Sequence, residues 1–269
     1  MSVRAAHTLP SAIADFESFL ARIGSRRPAF FLDFDGTLTP IMPRPDMARL
    51  AEPVRAVIAA LAERHSVAVV SGRDRAEIER LIGLPEILYA GNHGFDIVLP
   101  DGRRPGHGDM TCHQSRLDRV AEDVRRVVPD CLIERKRFTI AIHSRNVPDA
   151  RVPVIEAAVV RVLRKEHPHL KLTTGKMVYE LQPNLDWDKG RAVLWMLEEL
   201  GLNREDTIPV FFGDDVTDER AFERLEGLGV VVAPVTDHNR MTAADFRVED
   251  CREVVVVLQR LHRSTGATH

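Results

Sequence analysis

The stretch Phe30-Phe31-Leu32-Asp33-Phe34-Asp35-Gly36-Thr37 decides the fold of this chain. Its apolar part ends abruptly in two carboxylates and a glycine, a pattern that favours a buried strand followed by a turn. Because residues two apart on an extended chain point the same way, Asp33 and Asp35 project together from the strand's carboxyl end. Open α/β sheets bind their ligands at this end of their strands. We therefore expect a ligand site here.

The closeness of these two carboxylates needs an explanation. At 4 Å two such charges repel by about 4 kcal/mol if the effective dielectric constant is near 20. A protein that holds them together usually supplies a cation or shifts a pKa. A strand that runs into an acidic turn with no chemical role is equally compatible with this stretch alone. Three further stretches favour the chemical interpretation.

The composition limits the class of protein. The chain has 269 residues, 44% of them hydrophobic, which is ample for one large domain or two smaller ones. Its net charge of −3 argues against a general role in binding nucleic acid or anionic membranes. Its three cysteines match neither a zinc site nor a disulfide framework. The few, widely spaced cysteines indicate reduced thiols in a cytosolic chain, and no apolar run is long enough to span a membrane. We therefore expect a cytoplasmic protein without nucleic-acid or membrane partners. We further expect a monomer.

The second informative stretch, residues 66–73, is an apolar strand that ends in Ser71, Gly72 and Arg73. The pattern Asp74-x-x-Glu77 then predicts a capping box at the start of a helix. Ser71 thus lies between a strand end and a helix start, where amides and hydroxyls can hold a phosphate. Alternatively, Ser71 only satisfies the backbone and Arg73 is a solvated surface residue.

Asn92 and His93 follow another short predicted strand at residues 87–90. A histidine in a loop is usually structural or solvated. Because this loop also follows a strand end, we expect it to face the same ligand site as Asp33, Asp35 and Ser71.

The third informative stretch, Asp186-Trp187-Asp188-Lys189-Gly190, opens a predicted helix. Lys189 in the first turn opposes the helix dipole, and an anion next to it would offset that cost. An exposed lysine without a ligand is the alternative.

The fourth stretch, Gly213-Asp214-Asp215-Val216-Thr217-Asp218, repeats the opening theme of an apolar strand, a glycine and clustered carboxylates. Capping the following helix accounts for one acid but not for three. Clusters of oxygen ligands suit Mg²⁺, which prefers hard donors in octahedral geometry. The sequence therefore predicts a magnesium site.

The middle of the chain has a different character. Strand-like and helix-like segments alternate there with antiparallel pairs, which predicts a small separate α/β domain. We divide the chain into a first core segment (1–104), an inserted domain (105–182) and a second core segment (183–269). Glu134 and Lys136 share one strand face, and Glu180 lies on another strand just after Lys176. The residues alone favour a solvent-covered sheet face for these charges.

Taken together and in order, the four motifs resemble those of the haloacid-dehalogenase-type (HAD) phosphohydrolases. The resemblance rests on the following motifs: Asp33-x-Asp35-Gly36-Thr37, Ser71, Lys189 and Gly213-Asp214-Asp215-x-x-Asp218. Within that superfamily, the chain is similar to the trehalose-6-phosphate phosphatases. That similarity rests on further segments: Ser71-Gly72-Arg73, Tyr89-Ala90-Gly91-Asn92-His93-Gly94, Glu134-x-Lys136, Gly175-Lys176-x-Val178-x-Glu180, Trp187-Asp188-Lys189-Gly190 and Gly213-Asp214-Asp215-x-Thr217-Asp218-Glu219. The segment 233–240 departs from the pattern, because a glycine-rich turn is expected there.

The resemblance implies an α/β fold, in which a Rossmann-like core with a parallel sheet flanked by helices carries a cap domain between the second and third motifs. It implies hydrolysis of trehalose 6-phosphate, a small sugar phosphate, through an aspartyl-phosphate on Asp33, with Asp35 as general acid and then base. Ser71 and Lys189 would hold the phosphoryl oxygens. Mg²⁺ would be bound by Asp33, the Asp35 backbone carbonyl and Asp214, with Asp215 and Asp218 in support. The substrate-binding residues implied are Arg73, Asn92, His93, Glu134, Lys136, Lys176 and Glu180.

Three alternatives stay open. A related phosphatase would act on sucrose 6-phosphate or mannosyl-3-phosphoglycerate and differ mainly in the cap. A sugar phosphomutase of the same fold would share the core motifs. A non-catalytic regulatory domain could retain the fold, although every residue that the chemistry needs is present here.

Overall fold

The protein is described here by a computed structural model over residues 3–106, 111–145, 147–166, 168–175 and 177–265. The chain folds into two compact units. The first contains residues 1–104 and 187–269, and the second contains residues 105–186. Among the described residues, no helix combines the length and the apolar character needed to cross a membrane.

The strands, in chain order, are β1 (Arg4–Ala5), β2 (Arg27–Leu32), β3 (Val67–Val70), β4 (Leu88–Gly91), β5 (Asp96–Ile97), β6 (Leu132–Arg135), β7 (Ile140–His143), β8 (Leu170–Gly175), β9 (Val178–Pro183), β10 (Thr207–Gly213), β11 (Leu228–Val232), β12 (Met241–Thr242) and β13 (Phe246–Val248). The α-helices are α1 (Phe16–Ile23), α2 (Glu52–Ala62), α3 (Arg75–Ile82), α4 (Thr111–Val127), α5 (Val152–Glu166), α6 (Lys189–Glu199), α7 (Glu219–Arg224) and α8 (Cys251–Thr265). Short 3₁₀ helices cover Ala6–Thr8, Pro45–Met47, Asn92–Gly94 and Asp149–Arg151.

The first unit is built on a seven-stranded sheet in the order β13-β11-β10-β2-β3-β4-β5. Its strands run parallel, except that β5 is antiparallel to β4. The central strand β2 pairs with β10 on one side and β3 on the other, so that Leu32 lies opposite both Phe212 and Val69. The three motif-bearing strands therefore end side by side at one edge of the sheet.

Helices cover both faces of this sheet. On one face Phe30 and Leu32 join a core with residues of α1, α2, α3 and α8. On the other face Phe31 packs with residues of α6 and α7. Burial on both faces explains why β2 is continuously apolar rather than alternating. The predicted fold class, a parallel sheet flanked by helices, is confirmed.

The second unit is a four-stranded antiparallel sheet in the order β6-β7-β9-β8, with helices α4 and α5. Ile140, Ile142 and Leu181 pack into its core together with residues of both helices. Glu134, Ala141 and Glu180 lie opposite one another across β6, β7 and β9, and therefore share the other face. The role of this unit as a cap and the predicted boundaries at 105 and 182 stay predictions.

Two local predictions have different outcomes. The capping box predicted for α3 is wrong, because the side chain of its N-cap residue Asp74 makes no hydrogen bond to the helix start. Asp74 instead accepts a 2.6 Å hydrogen bond from the Asn92 side chain, and Glu77 binds Arg73. Near the carboxyl end, residues 253–261 combine a β-branched run with a helical pattern, and we predict a closing helix there; it is confirmed as α8.

Candidate active site

The turn after β2 brings Asp33 and Asp35 to the carboxyl edge of the sheet. The Gly36 amide donates a 2.7 Å hydrogen bond to the Thr39 carbonyl, which closes the turn. Gly36 has a φ of +90°, and a Cβ atom there would stand 2.3 Å from an oxygen of Asp214. Both the backbone conformation and this close approach require glycine.

Lys189 connects two of the acidic motifs. Its position is set by α6, whose N-cap Asp188 accepts a 2.9 Å hydrogen bond from the Arg191 amide. The Lys189 Nζ donates to Asp33 Oδ1 at 2.6 Å and to Asp218 Oδ1 at 2.7 Å. Burial by itself lowers the pKa of Lys189, but these two carboxylates outweigh it and raise the pKa. The lysine in the first turn therefore meets anions supplied by the protein itself.

Asp218 also organises the acidic loop after β10. Its Oδ2 accepts hydrogen bonds of 3.0 Å from the Asp214 and Asp215 amides. Because Oδ1 of Asp218 binds Lys189 and Oδ2 binds the two loop amides, the Asp218 side chain links this loop to Lys189. The sequence offers Thr217 or Asp218 as the cap of the following helix. Asp218 is the N-cap residue of α7, but its side chain bonds to the preceding loop and makes no capping hydrogen bond.

Within the described ranges, Asp33, Asp214 and Asp218 form a group whose carboxylate oxygens lie within 4.8 Å of one another. All three residues are buried. Burial, with the charges of Asp218 and Asp214, raises the pKa of Asp33 well above its usual value, although Lys189 opposes the shift. When all three carboxylates are ionised, one ammonium group offsets only one of their negative charges, so this set of hard oxygen donors fits a divalent cation.

Two other acids of the motifs have different surroundings. Within the described part of the chain, the group of three buried carboxylates does not include the side chains of Asp35 and Asp215. Asp215 Oδ1 accepts a 2.7 Å hydrogen bond from the Val216 amide. Both oxygens of Asp35 instead face Arg73, at 2.6 Å from its Nε and 2.8 Å from its Nη2.

Ser71 lies at the end of β3, beside the motif strand. Its amide donates to the Ala90 carbonyl at 2.9 Å, and its hydroxyl accepts a 3.2 Å hydrogen bond from the Arg73 amide. Its carbonyl accepts a 2.9 Å hydrogen bond from the His93 amide. These contacts fix the loops after β3 and β4 together. The role of the hydroxyl as a phosphate ligand stays a prediction.

Asn92 and His93 both have left-handed backbone conformations, with φ of 50° and 55°. Both residues are buried, and a Cβ atom on Gly72 would stand 2.8 Å from the His93 ring. The structure therefore places both residues against the loop that carries Ser71. Their contact with substrate stays a prediction.

The candidates in the second unit contact polar or charged neighbours on the sheet. Lys136 Nζ donates to Glu180 Oε1 at 3.0 Å, and the Thr139 hydroxyl donates to the same oxygen at 2.7 Å. His143 Nε2 lies 3.1 Å from a carboxylate oxygen of Glu134. Burial alone raises the pKa of Glu134, but His143 and the Lys136 charge outweigh it and lower the pKa. Lys176 lies outside the described residues.

The comparison with known families decides the identity of the chain. The trehalose-phosphatase family model matches residues 31–252. The chain belongs to the trehalose-phosphatase family. The predicted resemblance is thereby confirmed at the level of the family. Phosphatases of this fold generally depend on a metal, and the buried aspartate group meets that requirement.

Individual relatives show how much of this chain the similarity covers. A trehalose-phosphate phosphatase from Mycobacterium tuberculosis is 40% identical over 245 residues, which cover 89% of this chain and 62% of that protein. A protein from the same organism, named as an uncharacterized glycosyl hydrolase, is 39% identical over 253 residues, 90% of this chain and 19% of its own. The chain thus spans less than two thirds of the length of these relatives.

A solved structure supports the fold. The carboxyl-terminal domain of trehalose-6-phosphate phosphatase from Candida albicans superposes with a TM-score of 0.78. The superposition covers 95% of this chain and 98% of that domain at 22% identity. At this identity the likeness concerns the fold alone.

Two residues of the site region, Glu77 and Arg240, make contacts that the sequence did not predict. Glu77 was assigned to a capping box but binds Arg73. Arg240 donates to the Asp215 carbonyl at 3.0 Å and to Glu219 at 2.7 Å, and thereby reaches the acidic loop. Arg240 ends the segment that departs from the expected glycine-rich turn. No sequence signal marks it, because its partners are brought close only by the fold.

Proposed function

We propose that this protein is a Mg²⁺-dependent phosphatase that hydrolyses trehalose 6-phosphate to trehalose and inorganic phosphate. The observation that carries the proposal is the contact of Lys189 with both Asp33 and Asp218 in a buried group of three carboxylates. A carboxylate that attacks a phosphate dianion must be held in place while its charge is offset. The named relative at 40% identity supports the choice of substrate.

The residues of the first unit divide the reaction between them. An oxygen of Asp33 attacks phosphorus and forms an aspartyl-phosphate, while the bond from phosphorus to the sugar oxygen breaks. Asp35 gives its proton to that departing oxygen, so trehalose leaves as an alcohol. Asp35 then takes a proton from the water that attacks the aspartyl-phosphate, which releases phosphate and restores Asp33. Ser71 and Lys189 hold the phosphoryl oxygens during both steps.

The proposed metal ligands are Asp33, the Asp35 backbone carbonyl and Asp214, with Asp215 and Asp218 in support. Bound Mg²⁺ supplies positive charge that offsets the repulsion between a carboxylate nucleophile and a phosphate dianion. The all-oxygen donor set favours Mg²⁺ over softer metals. The hydrogen bonds from the Asp214 and Asp215 amides to the Asp218 carboxylate keep Asp214 in position.

We assign substrate recognition to Asn92 and His93 of the first unit and to Glu134, Lys136, Lys176 and Glu180 of the second. Residues 105–182 act in this proposal as the family's cap domain. Ion pairs such as Lys136 with Glu180 offer both donors and acceptors, which sugar hydroxyls require. We further propose a cytoplasmic enzyme that works as a monomer.

The test measures phosphate release from trehalose 6-phosphate, sucrose 6-phosphate, glucose 6-phosphate and mannosyl-3-phosphoglycerate, with Mg²⁺ or with EDTA. We expect strong preference for trehalose 6-phosphate, lost with EDTA and with Asp33→Asn. Asp46→Asn, at an exposed acid paired with Arg44, is the matched control.

Each other outcome rejects a defined part of the proposal. Metal-dependent turnover of a different sugar phosphate rejects the assignments in the second unit and keeps those of the first. Activity that persists in Asp33→Asn rejects the mechanism. Positional isomerisation without net phosphate release identifies a phosphomutase. Binding of Mg²⁺ with no turnover of any phosphoester identifies a regulatory domain.

A further inference from the structure

We propose that Arg73 positions the carboxylate of Asp35 for proton transfer, and that Glu77 holds Arg73 in place. This inference rests on the proposed function, because it needs Asp35 to move protons in the reaction. It gives Arg73 a different role from the substrate contact that the resemblance implies. It also gives Glu77 a part in the site.

The pairing of Arg73 with Asp35 engages both carboxylate oxygens. Arg73 Nε donates to Oδ2 at 2.6 Å, and Nη2 donates to Oδ1 at 2.8 Å. Two parallel hydrogen bonds from a planar guanidinium fix the plane of a carboxylate as well as its position. Each carboxylate oxygen has a second lone pair, so Asp35 can still hold or accept a proton in this arrangement.

The guanidinium is itself held from two further sides. Its Nη1 donates at 2.6 Å to Oε1 of Glu77, which lies four residues later, in the first turn of α3. Its central carbon lies 5.5 Å from the ring centroid of Phe34, the residue between the two motif aspartates. Cation–π contact and two ion pairs leave this side chain little freedom to reorient.

The solvent exposure of Arg73 and Asp35 also supports a positioning role for Arg73. The side chain of Arg73 is 6% exposed, whereas that of Asp35 is 35% exposed. The guanidinium is thus enclosed by its protein partners, and the carboxylate that it holds is open to an incoming molecule. A general acid must lie within hydrogen-bond reach of the departing oxygen, so a fixed carboxylate plane has a direct effect on turnover.

The first experiment compares matched arginine variants in the full chain. Arg73→Ala should lower kcat/KM for trehalose 6-phosphate by about 100-fold, the lower end of what proton transfer by a side chain contributes. Arg75→Ala is the control, because Arg75 pairs with Glu79 on the same helix at 2.6 Å and at the same spacing. The kcat/KM of Arg75→Ala should stay within about twofold of the wild-type value. Equal losses in the two variants overturn the proposal, since they indicate a structural effect.

The second experiment separates positioning from substrate binding. In an Asp33→Asn background, which cannot form the aspartyl-phosphate, calorimetry measures the Kd of trehalose 6-phosphate with and without Arg73→Ala. A positioning residue leaves this Kd unchanged within about twofold. Weakening by tenfold or more shows that Arg73 binds the phosphate and overturns the proposal.

A conservative variant covers the case in which Arg73→Ala does not fold. Arg73→Lys keeps the charge but cannot bind both oxygens, so it should retain the Kd and lose about tenfold in kcat/KM. If Arg73→Lys is fully active, the binding of both Asp35 oxygens is not needed and the proposed positioning role is overturned. If the wild type releases no phosphate from any of the four sugar phosphates, the proposed function fails and this inference with it. If the wild type is active and Arg73→Ala keeps its kcat/KM, only this inference fails.

Discussion

Gly36 and Asp214 lie so close together that a Cβ atom on Gly36 would stand 2.3 Å from Asp214 Oδ2. The two residues come from different motifs, at the ends of neighbouring strands β2 and β10. The turn that presents Asp35 is therefore packed directly against a carboxylate of the buried acidic group. Substitution of Gly36 must move one of them.

We predict that Gly36→Ala lowers kcat/KM by 100-fold or more. The added methyl group displaces Asp214, and misplacement by about 1 Å can lower the rate on the order of 100-fold. Phosphate release in Mg²⁺ measures the effect. Gly102→Ala is the matched control, because Gly102 has a similar φ of +85° but nothing within 4 Å of its Cβ position. It should lose about 1–2 kcal/mol of stability from backbone strain and no activity. An equal loss of activity in both variants would contradict the crowding argument.

Removal of the Lys189 ammonium should destabilise the protein strongly. Lys189→Met leaves Asp33 and Asp218 buried without their shared cation, and breaking a buried ion pair costs about 3–5 kcal/mol. Thermal and urea unfolding measure the loss, and activity should disappear with it.

Lys165→Met is the control for that experiment, because Lys165 pairs with Asp123 on the surface and is 63% exposed. Lys165→Met should lower the free energy of unfolding by less than about 1 kcal/mol. Added Mg²⁺ should restore part of the stability of Lys189→Met, since a cation then returns to the acidic group. A Lys189→Met protein as stable as the control would show that Lys189 does not balance these carboxylates.

Arg240→Ala should weaken metal binding without removing any proposed ligand. Arg240 holds the Asp215 carbonyl and Glu219, so its loss loosens the loop that carries Asp214. Loss of supporting contacts typically weakens metal affinity by about 10- to 100-fold. Titration of the melting temperature with Mg²⁺ measures this independently of activity. Arg220→Ala, at an exposed pair with Glu223 on α7, should leave the titration unchanged.

The contacts of Glu134 with His143 and with the charge of Lys136 predict a defined pH dependence. The pKa of Glu134 is lowered in the folded protein, so its stabilising contribution is present above its ordinary value of 4.5 and is lost as the pH falls through the folded value. The melting temperature of Glu134→Gln should therefore fall below that of the wild type at pH 7, and the difference should shrink below about pH 4.5. Glu122→Gln, at an exposed position on α4, serves as the control. A difference that stays constant with pH would contradict the assignment.

The sequence by itself determined the fold class, the family and the position of the motifs. The continuous apolar run of β2 indicates burial on both faces, and a sheet covered by helices on both sides provides that burial. Spacing along a strand decides which way side chains point, so Asp33 and Asp35 were placed at the strand end from local geometry alone. These features depend on neighbours in the chain.

Only the tertiary structure decided which charged groups meet. Lys189 contacts Asp33 across 156 positions of sequence, and Arg73 contacts Asp35 across 38. Glu77 was predicted to cap a helix, but in the structure it binds Arg73. Arg240 lies in a segment without any motif, yet it donates a hydrogen bond to the acidic loop. A long charged side chain can reach several partners, and which one it binds depends on which strand ends the sheet order places side by side. Local spacing carries no information about that order.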